Sequence, residues 1–178
     1  MQMDQIANQP VIETARFDLR PVRRSDVGLL NMYAGDPRVA MTTPTIPHPL
    51  PPGTMEAFIN RALAEPRDED VWVMDGTRSS WSEVMGVISL SWLDRNQTEV
   101  GYWVAPAFWN THIASEAVQA VVAANPLGND TMFAAVYHDN PASAKVLTNA
   151  GFVYLGDAET YCLARDAAVP TWTYSRKL

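Results

Sequence analysis

The sequence predicts one α/β domain with a mixed sheet flanked by helices, and three observations support this prediction. The chain has 178 residues, close to the ~150 residues of a typical domain. Segments with alternating apolar residues, typical of strands, are interspersed with segments of helical periodicity. Residues 99–137 read as strand, helix and strand, and such a crossover makes the two strands parallel. We expect a flexible, polar N-terminus over residues 1–10 and the domain over residues 11–178.

The N-terminal part predicts a short strand followed by two helices. Residues 17–21 alternate and form the strand, and Ser25 and Thr54 are suited to cap the helices that follow them. Between these helices, residues 44–52 contain five prolines. Proline has no N–H and a fixed φ, which excludes regular helix and central strand. The segment is therefore either a stiff linker or a rigid loop that forms a pocket wall.

The remaining elements follow from changes in periodicity. Apolar residues from Ala114 to Val122 recur at i, i+3, i+4, i+7 and i+8, which predicts an amphipathic helix. Asn140 with the following proline is typical of a helix start, and Gly151 is suited to end that helix. Strands are predicted over residues 71–74, 84–93, 99–104, 132–137, 152–155, 160–164 and 172–177.

Composition limits the class of protein. The chain has 20 acidic and 13 basic residues and a net charge of −7, which disfavours nucleic-acid binding because phosphates need a basic face. An acidic protein remains suited to a cationic substrate such as an amine. A single cysteine, Cys162, excludes an intramolecular disulfide, and we see neither a membrane span nor a signal peptide. We therefore expect a cytoplasmic location and no membrane partner.

The sequence shows no motif for a metal or for a covalent nucleophile. The residues that could ligate zinc, His48, His112, His138 and Cys162, lack zinc-ligand spacing. A Gly-x-Ser-x-Gly elbow, a phosphate-binding P-loop and a dinucleotide fingerprint are all absent. The expected chemistry therefore requires no metal.

Three stretches carry a family resemblance: EVGYWVAP at residues 99–106, WNTHIASEA at residues 109–117 and NPASAKVLTNAGF at residues 140–152. Together they resemble the GNAT N-acetyltransferases, and within them the RimJ/RimL-like branch that acetylates ribosomal-protein N-termini. The resemblance extends over about residues 12–156. It implies a sheet with a splay between two parallel strands and transfer of acetyl from acetyl-CoA to a primary amine. That amine is either a peptide N-terminal α-amine or a small-molecule amine. A homodimer is left open.

The resemblance implies that the donor binds at the opening and at the helix start beside it. A helix start presents N–H groups that no helical carbonyl accepts, and with the helix dipole these suit a pyrophosphate. The strand edge at residues 103–105 would pair with the pantetheine arm. The implied cofactor-binding residues are Trp103, Val104, Asn110, Thr111, His112, Ile113, Ala114 and Asn140.

The loop departs from the family at two positions, where Asn110 and His112 replace glycines. Glycine adopts positive φ freely, asparagine tolerates it, and histidine does so less often. His112 either points to solvent or contacts phosphate. The replacements motivate an alternative function, a catalytically impaired acyl-CoA-binding or regulatory protein on the same fold.

Three residues are candidates for catalysis. Glu99 occupies a position where some members of the superfamily carry a glutamate base, and the alternative is a carboxylate on a solvated face. Asn140 and Ser143 would assist at the thioester, and their alternatives are a helix cap and a residue of the first turn. Many family members place a tyrosine where this chain has Leu147, but the RimJ/RimL-like branch has leucine there, so its presence here fits the resemblance.

Overall fold

The computed structural model describes residues 9–178 as an eight-stranded mixed sheet with helices on both faces. The strands, numbered β1 to β8 in chain order, are Ile12–Glu13, Asp18–Pro21, Glu69–Asp75, Gly86–Leu93, Gln97–Val104, Thr131–Tyr137, Val153–Cys162 and Ala167–Lys177. The helices, α1 to α5, are Val27–Ala34, Pro37–Ala40, Thr54–Leu63, Ile113–Ala124 and Pro141–Asn149. The predicted fold class is confirmed.

The strand order is β1-β2-β3-β4-β5-β6-β8-β7, and the β5–β6 pair is parallel while the other neighbours are antiparallel. Helix α4 connects β5 to β6, as a parallel crossover requires. The predicted parallel pair is therefore confirmed, and it lies at the centre of the sheet.

The two faces of the sheet carry separate hydrophobic cores. One core packs α4 and α5 on the sheet through residues such as Val118 and Leu147. The other packs α1, α2 and α3 through residues such as Leu30 and Ile59. Side chains alternate between faces along a strand, so neighbouring residues of one strand serve different cores.

Helix α5 begins and ends where the sequence predicts, but two other caps are wrong. Asn140 accepts from the N–H of Ser143, and Gly151 has φ 84°. The turn Arg24–Asp26 precedes α1, and there the carboxylate of Asp26, not Ser25, accepts from the N–H of Arg23. Helix α3 is preceded by Gly53 at φ 82°, a conformation that suits glycine.

The C-terminal strands are longer than predicted. The two separate segments at residues 152–155 and 160–164 are one continuous strand, β7, with an irregularity between Tyr154 and Gly156. Strands β7 and β8 form a hairpin in which β7 is the edge.

Of the predicted flexible N-terminus, residues 1–8 lie outside the described residues. The side chain of Gln9 donates to the carbonyl of Val71 (2.7 Å), and the carbonyl of Pro10 accepts from the indole N–H of Trp72 (2.8 Å). Both residues thus contact β3. Across residues 9–178, no helix has the length and apolar character needed to cross a membrane.

Candidate active site

The central parallel strands separate after a short paired stretch. Residues 97–99 of β5 pair with residues 131–133 of β6, and the pairing ends at Glu99 and Phe133. Beyond this point β5 stays paired to β4 and β6 stays paired to β8. A wedge-shaped opening therefore lies in the middle of the sheet, as the resemblance implies.

Two cavities meet at this opening. One, of about 480 Å³, lies on the α4/α5 face, and because the resemblance implies that acetyl-CoA binds there, we call it the donor cavity. The other, of about 330 Å³, lies on the α1–α3 face, from which an amine would then enter, and we call it the acceptor cavity. The residues that line both are Thr42, Tyr102, Trp103, Asn140 and Ser143. Two molecules bound from opposite faces would therefore meet beside these residues.

The loop before α4 forms one end of the donor cavity. All five predicted residues, Asn110, Thr111, His112, Ile113 and Ala114, line it. Asn110 has φ 60° and His112 has φ 63°, so both adopt the left-handed conformation that glycine favours. No side chain of the described residues caps α4. The first N–H groups of the helix are thus available to an anion.

Arg16 supports this loop from outside the cavity. Its guanidinium donates to the carbonyl of Thr111 (2.8 Å) and forms an ion pair with Glu116 (3.0 Å). Glu116 lies in the first turn of α4, where its charge would repel a phosphate. Arg16 therefore fixes the loop and offsets that charge.

The backbone of β5 presents alternate residues to the opening. The N–H of Ala105 bonds Met85 on the β4 side (2.8 Å), so the backbone groups of Tyr102 and Val104 face the other way, into the opening. The carbonyl of Val104 already accepts from the indole N–H of Trp109 (2.7 Å). The amide of Trp103 faces β4, and this residue lines both cavities.

Asn140 and Ser143 lie together at the junction of the cavities. The amide of Asn140 donates to the hydroxyl of Ser143 (3.1 Å), and the carbonyl of Ser143 accepts from the hydroxyl of Tyr102 (3.1 Å). Asn140 is therefore a helix cap that also lines both cavities. Leu147 is fully buried in the core and does not reach either cavity.

Tyr102 is a site residue that sequence reasoning missed. Burial raises the pKa of its hydroxyl, which stays protonated and links β5 to α5 across the opening. The alternation of side chains along β5 could have predicted that Tyr102 faces the donor cavity. Its hydrogen-bond partner on α5 is 41 residues away, however, and no sequence pattern predicts that pairing.

Glu99 forms part of the floor of the acceptor cavity. The cross-strand register puts Glu69, Ser91 and Glu99 in one row over β3, β4 and β5. Ser91 donates to Glu69 (2.8 Å), and all three line the cavity. The Glu99 side chain meets solvent within this cavity, but the surrounding walls remove part of its hydration. That desolvation first, and the charge of Glu69 second, raise the pKa of Glu99.

The proline-rich loop forms a wall of the acceptor cavity through Pro44, Thr45 and Ile46. The pocket-wall interpretation therefore describes this loop, and the linker interpretation does not. His138 lines neither cavity and stacks on Trp172 with ring centroids 4.6 Å apart. Among the described residues, no group of three or more His, Cys, Asp or Glu side chains is placed to hold a metal ion.

Comparison with known proteins agrees with this architecture. Residues 16–153 match the acetyltransferase (GNAT) domain family. The chain is 30% identical to the uncharacterized N-acetyltransferase YoaA of Bacillus subtilis (strain 168), over 93% of this chain and 96% of YoaA.

Among the solved structures that share the fold, two illustrate the similarity. Mycobacterium smegmatis RimJ in complex with CoA-disulfide aligns with a TM-score of 0.80 and 17% identity, covering 99% of this chain and 90% of RimJ. The ribosomal-protein-S5-alanine acetyltransferase from Vibrio fischeri aligns with a TM-score of 0.77 and 22% identity, covering 94% and 96%. The family match and the YoaA identity together show that the chain belongs to the GNAT family and is an acetyl-CoA-dependent acetyltransferase.

Proposed function

We propose that this protein transfers acetyl from acetyl-CoA to a primary amine by direct attack, with the donor in one cavity and the amine in the other. The observation that carries the proposal is the meeting of the two cavities at the opening between β5 and β6. Direct transfer requires both substrates at once with their reacting atoms in contact. Two cavities joined at one junction satisfy that requirement.

The donor cavity suits a nucleotide thioester. Residues 110–114 would hold the pyrophosphate with their backbone N–H groups, and the N–H groups of Tyr102 and Val104 would pair with the pantetheine arm. The RimJ structure, which shares the fold, is in complex with CoA-disulfide, and this supports a coenzyme A thioester as the ligand. The thioester would then lie near Trp103, Asn140 and Ser143.

Glu99 would accept the amine proton. The amine nitrogen attacks the thioester carbonyl, a C–N bond forms, and the C–S bond breaks with coenzyme A leaving as a thiolate. Because the amine arrives as an ammonium ion and must be neutral to attack, one proton first passes through water to Glu99, and the nitrogen loses a second proton to solvent as the amide forms. The raised pKa of Glu99 brings it closer to the working pH, which makes a carboxylate a better base. Asn140 and Ser143 would stabilise the thiolate, which then takes a proton from solvent.

The acceptor is a primary amine of a peptide N-terminus or of a small molecule. Among the described residues, Glu69 and Glu99 give the cavity two carboxylates against one cation, Arg61, and this excess of negative charge attracts a cationic amine. Met55, Phe58 and Ile46 provide an apolar wall for its carbon chain.

Two measurements test this function. We expect acetyl-CoA to raise the melting temperature, because a ligand at a hundred times its Kd stabilises a protein by about 2.7 kcal/mol. We then expect free thiol to form from acetyl-CoA only when an amine is added. Binding without amine-dependent thiol release would instead favour the acyl-CoA-binding or regulatory protein suggested by Asn110 and His112. If acetyl-CoA has no effect on melting, both functions are rejected.

A substitution at His112 tests the phosphate loop. We expect His112→Gly to preserve or improve CoA affinity and to stabilise the protein by up to about 1 kcal/mol. The left-handed conformation costs a non-glycine residue about 1–2 kcal/mol, which glycine avoids. The greater conformational freedom of glycine in the unfolded chain offsets part of this stabilisation. Calorimetric titration with CoA and urea unfolding measure the two effects.

His112→Ala is the matched control, because it keeps the unfavourable φ but removes the imidazole. An affinity loss of about tenfold in both variants would show that the imidazole itself contacts phosphate.

A further inference from the structure

Two residues on the wall of the acceptor cavity carry buried hydroxyls that have no hydrogen-bond partner among residues 9–178. Tyr137 is 4% exposed and Thr171 is 1% exposed, and both line this cavity. Neither Tyr137 Oη nor Thr171 Oγ1 makes a hydrogen bond within residues 9–178. Buried polar groups are nearly always paired, because an unpaired one loses its hydration without compensation. Two such groups on one cavity wall therefore need an explanation.

The sheet register brings these hydroxyls together. Tyr137 of β6 and Thr171 of β8 are direct cross-strand partners, so their side chains share one face with Cβ atoms about 5 Å apart. Met132, Ala134 and Val136 of β6 belong to the core beneath α4 and α5. The alternation along β6 therefore directs Tyr137, and with it Thr171, towards the acceptor side.

The groups around Tyr137 are already engaged elsewhere. The thiol of Cys162 donates to the carbonyl of Thr43 (3.4 Å), which leaves the tyrosine only a weak sulfur acceptor. The guanidinium of Arg165 lies 5.0 Å from the ring centroid but donates to Met41 and Asp139. Burial first, and Cys162 second, raise the pKa of Tyr137. Its hydroxyl is therefore protonated, and the sulfur of Cys162 is too weak an acceptor to keep it from donating to a carbonyl oxygen.

We infer that Tyr137 and Thr171 form a subsite for an oxygen atom of the acceptor, which thus carries a carbonyl or amide oxygen as well as its amine. Two neighbouring hydroxyls can both donate to one such oxygen, because a carbonyl has two lone pairs. A simple alkylamine or a diamine offers no comparable group. This inference rests on the proposed function, and it narrows the acceptor to amino amides, either a free small molecule or the N-terminal residue of a peptide.

The position of the subsite fits an acceptor that extends along the wedge. Tyr137 lies four residues beyond Phe133, the partner of Glu99. At about 3.3 Å per residue, Tyr137 therefore lies about 13 Å further along the opening than Glu99. Asn140 follows Tyr137 closely, and its N–H bonds the carbonyl of Tyr137 (2.9 Å). The oxygen subsite is thus beside the junction, on the side of the amine opposite to Glu99.

Matched acceptors and matched variants test the subsite. Alaninamide and sec-butylamine both carry a primary amine, but sec-butylamine has no oxygen. We expect the wild type to prefer alaninamide in kcat/KM, and Tyr137→Phe and Thr171→Val each to reduce that preference by about tenfold, with no change in the KM for acetyl-CoA. Thr173→Val is the control, because Thr173 lies two residues along β8 and does not line the cavity. A peptide beginning with alanine, assayed in parallel, distinguishes a peptide acceptor from a free amino amide.

The melting temperature of the ligand-free variants gives an independent readout. Removing an unpaired hydroxyl should raise it, whereas removing a hydroxyl with a structural partner, including an internal water, should lower it. A lower melting temperature, or an unchanged preference between the two amines, overturns the subsite. Absence of amine-dependent thiol release in the wild type overturns the proposed function instead. In that event the melting temperatures, with and without alaninamide, still decide whether the hydroxyls bind it.

Discussion

Replacing Glu99 by glutamine is expected to lower kcat at pH 7 by about a hundredfold or more, while the Kd for acetyl-CoA stays the same. General base catalysis typically contributes 10²–10⁴-fold, and glutamine keeps the shape of the side chain but cannot take a proton. Glu99 lines the acceptor cavity and not the donor cavity, so donor binding should not change. Steady-state kinetics and calorimetric titration with CoA measure the two quantities.

The pH profile identifies the base. Burial and the charge of Glu69 raise the pKa of Glu99, so the wild-type rate should rise with pH as this carboxyl ionises above its usual range. The rate of Glu99→Gln should not show this ionisation. The difference in rate between the wild type and Glu99→Gln should become smaller at high pH, because the free amine no longer needs a base there. Glu69→Gln is the control, because it should shift the same limb to lower pH without abolishing it. A variant with the wild-type profile would remove Glu99 from the mechanism.

The largest expected loss of stability is for Arg20→Met, at about 3–5 kcal/mol in the free energy of unfolding. Arg20 is buried and bonds two buried carboxylates, with Nε 2.6 Å from Asp75 and Nη2 2.8 Å from Asp26. Methionine fills similar space but leaves both carboxylates without a counter-charge. Urea unfolding measures the difference.

The pH dependence of this loss has a definite sign. Burial opposes ionisation of Asp75, but the N–H of Thr77, the side chain of Arg20 and the hydroxyl of Thr77 outweigh it and lower its pKa. Asp75 therefore contributes stability above its unfolded pKa of about 3.9, and this contribution is lost as pH falls through the lower folded pKa. The loss of stability in Arg20→Met should be greatest near neutral pH and smaller below about pH 4.

Arg20→Lys keeps one positive charge but not the planar guanidinium, so its free energy of unfolding should lie between those of the wild type and Arg20→Met. A loss below about 1 kcal/mol in Arg20→Met at pH 7 would contradict this account.

The order and type of the elements are predictable from periodicity, because burial of one face leaves a period of two in strands and of 3.6 in helices. Strand β5 and helix α4 show this clearly, as their apolar residues recur at those spacings. The caps at Ser25 and Thr54 were wrong because several nearby residues could satisfy the same helix start. Local sequence does not rank Asp26 or Gly53 above them.

The site was predictable only where its residues are consecutive. The phosphate loop, Glu99 and Asn140 lie in motifs that local sequence displays. Tyr137 and Thr171 are separated by 34 positions and meet only through the register of β6 and β8. Register between distant strands depends on the whole sheet, so no local pattern places these two hydroxyls on one wall.

Because side chains alternate along β5, neighbouring positions of this strand can have different roles. Glu99 and Gly101 line only the compartment proposed for the molecule that is modified, whereas Val104 lines only the compartment proposed for the molecule that supplies the group. A substitution at Glu99 would therefore change recognition of the molecule that is modified, whereas one at Val104 would change recognition of the molecule that supplies the group. Such a strand allows a lineage to diversify what it acetylates while its use of one universal metabolite stays constant.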